Sequence, residues 1–186
     1  MFREEKNPWT TLSGEEKYDN PWINVTEYQV INPAGNPGIY GKISFKNIAV
    51  GVIPLDEEYN TYLVGQYRYA LNRYSWEIPE GGSIVGTHPM EGAKRELLEE
   101  TGLKAKSWIP ALSIHMSNSV TDELGLIYVA KGLSQHEAEP EDTEDLQIKK
   151  VPFDKVFEMV IKGEITDALA VAGIFKVKYM IDKGLV

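Results

Sequence analysis

Glu96, Glu99 and Glu100 are the residues of this 186-residue chain whose type and spacing are best suited to chemistry. They fall at i, i+3 and i+4 of the run RELLEETGL (residues 95–103), so on a helix their carboxylates share one face and repel one another. A hard divalent cation relieves that repulsion best, because it takes several oxygen ligands at once. The plainer alternative is a solvated acidic face, with Glu91, Arg95 and Glu99 forming i,i+4 pairs worth about 0.2–0.5 kcal/mol each.

The elements needed to hold such a face are marked in the sequence. Pro89 suits the first turn of a helix, Ala93, Leu97 and Leu98 give it an apolar side, and Gly102 stands where a left-handed cap belongs. Ahead of it, residues 75–78 read as a short strand ending at Pro79, and Gly81 and Gly82 offer a turn with backbone angles closed to other residues. Further strands are expected at 39–45, 48–53, 61–67, 108–115, 125–130 and 146–151, with helices at 153–162 and 166–182. The segment before the Asn36-Pro37-Gly38 turn carries Trp9, Tyr18 and Trp22 among Pro, Asn and Gly, and reads as irregular or weakly stranded. Helices interleaved with short strands give an α/β class, a layered sandwich.

Composition narrows the function. The chain has 28 acidic against 19 basic residues, a formal charge of −9, which excludes a broad electrostatic hold on nucleic acid. Cysteine is absent, so thiolate chemistry and disulfides are excluded and a reducing, cytoplasmic location is expected. No apolar run approaches a membrane span, and no membrane partner is expected. His88, His115 and His136 lack the paired spacing of a metal site and read as structural.

The stretch from Gly81 through residues 95–103 resembles the signature of the Nudix hydrolases: Gly, five residues, Glu, seven residues, then Arg-Glu-apolar-any-Glu-Glu-any-Gly-apolar. Thr87 stands where that pattern has its first Glu. The segments Gln66-Tyr67-Arg68, Trp76-Glu77-Ile78-Pro79 and Gly163-Glu164-Ile165-Thr166-Asp167-Ala168 look like those of the ADP-ribose pyrophosphatase and nucleoside-diphosphate-sugar hydrolase branch. The resemblance implies an α/β/α sandwich of mixed sheets with flanking helices, residues 41–186 forming the hydrolase domain and 1–40 a strand-forming, dimer-related N-terminal extension.

It also implies a site. Arg95 orients the acids, and Glu96, Glu99, Glu100 and the backbone carbonyl of Glu80 are candidate ligands for Mg²⁺ or Mn²⁺. Within the acidic loop 139–145, Glu144, then Asp142, is the candidate base. Arg68 is the candidate diphosphate binder, for which a planar donor suits better than Lys. Trp9 and Trp22 are candidates to stack on a nucleobase. The implied activity is metal-dependent cleavage of a nucleoside diphosphate sugar, ADP-ribose to AMP and ribose 5-phosphate, by a cytoplasmic homodimer. Another sugar nucleotide such as GDP-mannose stays open, and Thr87 keeps a non-hydrolysing sensor open.

Overall fold

The computed structural model describes residues 6–138 and 145–186. In chain order the elements are β1 (Thr10–Asp19), β2 (Ile23–Ile31), β3 (Pro37–Phe45), β4 (Asn47–Leu55), β5 (Asn60–Arg68), β6 (Arg73–Glu77), β7 (Glu80–Ile84), α1 (Pro89–Thr101), β8 (Leu103–His115), β9 (Leu124–Gln135), β10 (Gln147–Pro152), α2 (Phe153–Ile161) and α3 (Ala168–Asp182). They divide into two compact units: one runs up to Lys46 and takes in Ser117–Glu123, and the other holds Asn47–Met116 and Leu124–Val186.

The first unit is an antiparallel sheet in the order β1-β2-β3. The segment before residue 36, read as irregular or weakly stranded, forms two regular paired strands. The residues that suggested breakage sit in its turns: Asn20 Oδ1 accepts the amides of Trp22 and Ile23 at 2.8 and 2.7 Å, and Asn32 Oδ1 accepts those of Ala34 and Asn36 at 3.0 Å. Two register shifts in β1, at Thr11/Ser13 and Glu16/Tyr18, absorb the remaining irregularity. Residues 117–123 join this sheet through a bridge between Thr121 and Ile43, and Asp122 binds the Phe45 amide and the Lys42 ammonium.

The second unit is built on a four-stranded sheet ordered β7-β4-β9-β8, in which only the β4–β9 pairing is parallel. Side chains alternate along β4 and β9. Val50, Val52, Tyr128 and Ala130 meet Ala93 and Leu97 of α1, while Ile53, Leu55, Ile127 and Val129 meet Leu169, Ile174 and Val177 of α3 and Phe153 and Val156 of α2. The result is helix, sheet, helix. A smaller antiparallel sheet, β10-β5-β6, completes the unit. Its β5 leads to the site through Arg68, and its β6 through Glu77.

One element differs from the expectation. Glu80, Gly81 and Gly82 form no turn; they belong to β7, with Gly51 opposite Glu80 and Val50 opposite Gly81. Neither glycine has a positive φ. Glycine at 81 leaves space that the Glu96 carboxyl group occupies, and a Cβ there would force that carboxyl group to shift. The true loop follows at residues 85–88, where Gly86 has φ +94° and Thr87 Oγ1 donates to the Ile84 carbonyl at 2.7 Å.

Candidate functional site

The site grows from the crossing of α1 over β7. His88 caps α1 by accepting the Met90 amide through Nδ1, Pro89 starts the first turn, and Gly102, at φ +71°, ends the last. These two fixed ends set the rotation of the helix, so that Glu96 and Glu100, one turn apart, both lie buried against β7. Glu100 Oε2 accepts the Glu80 amide at 2.9 Å, and Glu96 occupies the space that Gly81 leaves vacant.

Arg95 holds the acids together. Its Nη1 donates to Glu99 at 2.5 Å, and its Nη2 to Glu96 at 2.5 Å and to the Gly82 carbonyl at 2.8 Å. Burial works against the guanidinium charge, but Glu96 and Glu99 outweigh it and hold the Arg95 pKa above its ordinary value. Glu91, which could have joined an i,i+4 ladder, pairs instead with Lys94 at 2.8 Å.

A second carboxylate group adjoins the first. Glu80 directs its side chain inward: Oε1 lies 3.6 Å from Arg68 Nη2, and Oε2 is buried without a hydrogen-bond partner. Burial, then repulsion from Asp167 and Glu77, pushes the Glu80 pKa well above the usual carboxylate range against the pull of Arg68. Glu77 is almost wholly buried and takes Arg68 in a fork, with Nε at 3.0 and 3.1 Å and Nη2 at 2.5 Å. That bond chiefly raises the Arg68 pKa. Asp167 caps α3 by accepting the Ala170 amide at 2.7 Å.

Six carboxylates (Glu77, Glu80, Glu96, Glu99, Glu100 and Asp167) thus share this region with the guanidinium groups of Arg68 and Arg95. Among the described residues no three of these acids are gathered around one point as a finished ligand set. Arg95 stands between Glu96 and Glu99, and Glu100 is engaged by the Glu80 amide. The donor chemistry nevertheless fits a hard divalent cation. Only oxygen donors are offered, and the orphaned Glu80 Oε2 is a buried acceptor in a field of like charge.

Arg95, Glu80, Glu96, Glu99, Glu100 and Arg68 are therefore brought together in one unit. Glu144 and Asp142, the expected bases, lie outside the described residues. Trp9 and Trp22 belong to the N-terminal unit. There Trp9 meets Tyr40 edge to face at 5.4 Å and, with Tyr28 and Lys42, lines a cavity of about 410 Å³, while Trp22 is largely exposed at the β1–β2 turn. The side chains of Glu77, Glu80 and Asp167 join the region without a sequence expectation that placed them there. The available signal for Glu77 was an acid set between Trp76 and Ile78 in an apolar strand, a position that burial makes costly unless the charge is paired.

Comparison with known proteins gives concordant matches. The NUDIX domain family model matches residues 45–170, and the nucleoside diphosphate sugar hydrolase N-terminal domain model matches residues 9–43. The chain is similar to the ADP-ribose pyrophosphatase of Mycobacterium tuberculosis, 30% identical over 177 residues, which covers 92% of this chain and 84% of that protein. It is similar to the ADP-ribose pyrophosphatase of Bacillus subtilis, 33% identical over 135 residues, covering 69% of this chain and 73% of that one. A crystal structure described as ADP compounds hydrolase superposes with a TM-score of 0.86 over 99% of this chain and 100% of that chain; at 21% identity the likeness is one of fold.

Proposed function

This chain belongs to the NUDIX domain family and is a pyrophosphatase of that family, and we propose that it cleaves ADP-ribose to AMP and ribose 5-phosphate with Mg²⁺ or Mn²⁺ at the α1–β7 site. The observation that carries the reading is the set of buried acids on β7 and α1, above all Glu80 Oε2, which is buried without a partner. Glu80, Glu96, Glu99 and Glu100 would hold the cation. When bound, it neutralises diphosphate oxygens, polarises the P–O bonds and acidifies the attacking water.

The remaining work falls to the chain's own groups. Arg95 bridges Glu96 and Glu99 and offsets the repulsion between them. Glu100 fixes β7 by its amide, so the acids keep their spacing while substrate enters. Arg68 offers planar donors that hold the diphosphate from binding through cleavage. Glu144, or else Asp142, takes the proton of the attacking water, a role assigned on family resemblance alone.

The N-terminal unit is read as a dimer element. Among its described residues Val30 is the one buried apolar side chain, whereas Trp9, Leu12, Tyr18, Trp22 and Ile39 are exposed, too thin a core for a three-stranded sheet to stand alone. Trp9 or Trp22 would stack on the nucleobase. Light scattering coupled to gel filtration tests the dimer, and a monomer mass removes it. No described helix is long and apolar enough to cross a membrane.

The decisive experiment incubates the protein with Mg²⁺ or Mn²⁺ and a panel of nucleoside diphosphate derivatives, including ADP-ribose and GDP-mannose, and measures released phosphomonoesters. Release of AMP and ribose 5-phosphate from ADP-ribose, in preference to cleavage of GDP-mannose, is expected. Preference for another member reassigns the substrate, and binding without release replaces the hydrolase with a sensor.

A further inference from the structure

Glu77 has no assigned part in this chemistry, yet it is among the most deeply buried charges of the second unit. The β5–β6 register explains where its partner comes from. Val64 lies opposite Glu77, and Arg68 lies opposite Arg73. Val64 and Arg68 are four residues apart on one strand, so Arg68 and Glu77 share a sheet face, and the Arg68 side chain must lie back along that face to reach the acid. The guanidinium meets Glu77 by its Nε and Nη2 edge alone. The same Nη2 stands 3.6 Å from Glu80. Among the described residues Nη1 donates to no protein group, and the side chain keeps 38% of its exposure.

We propose that Glu77 is a positioning residue for substrate binding: it clamps one edge of Arg68 so that Nη1 and the open face of the guanidinium are presented, in one fixed orientation, to a diphosphate. The inference rests on the hydrolase reading above and on Arg68 as its phosphate donor. A lysine could not serve at position 68, because one ammonium cannot both fill a carboxylate fork and offer a second, rigidly oriented edge. Glu77 itself touches no substrate. Its loss would therefore act only through Arg68.

The test is a double-mutant cycle on ADP-ribose turnover, with thermal melting of each variant. E77Q should raise KM by roughly 10–100-fold, the range typical when a partner that orients a site group is lost, with kcat nearly unchanged. R68A should raise KM at least as much, and E77Q added to R68A should raise it no further. A wild-type KM in E77Q, or effects of E77Q and R68A that multiply in the double variant, would overturn the positioning role. Should E77Q or R68A fail to fold, R68K decides: it keeps a cation beside Glu77 without the fork, and a wild-type KM in that variant overturns the proposal. A wild-type protein that releases no phosphomonoester from any member of the panel overturns the parent reading and this inference with it, whereas active wild type with the contrary KM results overturns this inference alone.

Discussion

The N-terminal unit and the α1–β7 site handle acid in opposite ways. In the N-terminal unit carboxylates stay near solvent beside lysines: Asp19 with Lys46, Glu15 with Lys17 and Asp122 with Lys42, each pair 2.6–2.7 Å apart and each partner at least 38% exposed. In the second unit Glu77, Glu96 and Glu100 are buried, and the cations that reach the cluster are arginines. Exposed pairs contribute little because water already solvates both members. Buried like charges are costly, and a fold keeps them where another charge is to be received. Removing an acid should therefore affect turnover at the site and, more weakly, stability in the N-terminal unit.

The largest expected effect is that of Glu100→Gln. The amide preserves an acceptor for the Glu80 N–H, so the fold should hold, while turnover should fall by more than the ~10–100-fold typical of an outer-partner loss. Steady-state assay tests the fall. Melting with and without Mn²⁺ supplies an independent reading: the cation should raise the wild-type Tm and raise that of the variant less. Wild-type turnover in Glu100→Gln would erase the distinction between the site and the N-terminal unit.

Next in size is Gly81→Ala. The added methyl must displace either Glu96 or β7, at about 1–3 kcal/mol of stability by the usual cost of overpacking, and activity should fall with it. Urea unfolding measures the first and assay the second.

Asp122→Asn should cost only about 0.5–1 kcal/mol, since the carboxylate is 41% exposed and its ion pair is screened. Burial opposes its ionisation, but Lys42 and the Phe45 amide outweigh that and hold its pKa below the ordinary value. The sign follows from linkage. A depressed folded pKa contributes stability that is fully present above the unfolded value of about 4 and is lost as pH falls through the folded one. The gap in urea midpoint between wild type and variant should thus be steady at neutral pH and close below about pH 4. A gap that widens in acid would reverse the assignment. Smallest of all, Asp19→Asn should leave the midpoint indistinguishable from wild type, because a solvent-screened pair with Lys46 has little to lose.

What the sequence disclosed, and what it hid, divides along a physical line. Helix α1 and its acid face were legible because their signals are local: Pro89, Gly102 and the spacing of Glu96, Glu99 and Glu100 lie within four turns. Strand β7 was not, since Glu80-Gly81-Gly82 has poor strand propensity and is extended only through its pairing with β4, some thirty residues earlier. The N-terminal strands were legible only weakly, because the Asn, Pro and Gly residues of their turns interrupt the pattern. The Glu77 to Arg68 clamp was hidden for the reason that hid β7, being fixed by register across two strands. Arg95, adjacent in sequence to Glu96, bonds both Glu96 and Glu99.

The missing side chain at Gly81 reaches beyond this one molecule. Because the void at 81 is filled by Glu96, and because Gly92 likewise makes room for Ser83, the strand and the helix exchange volume at two crossings. Positions 81 and 96 are consequently coupled: a larger residue at 81 must be met by a shift of the Glu96 carboxyl group or by a shorter side chain at 96. Anyone randomising the acidic helix to alter its preference for metal would do well to treat the glycine strand beneath it as part of the same library.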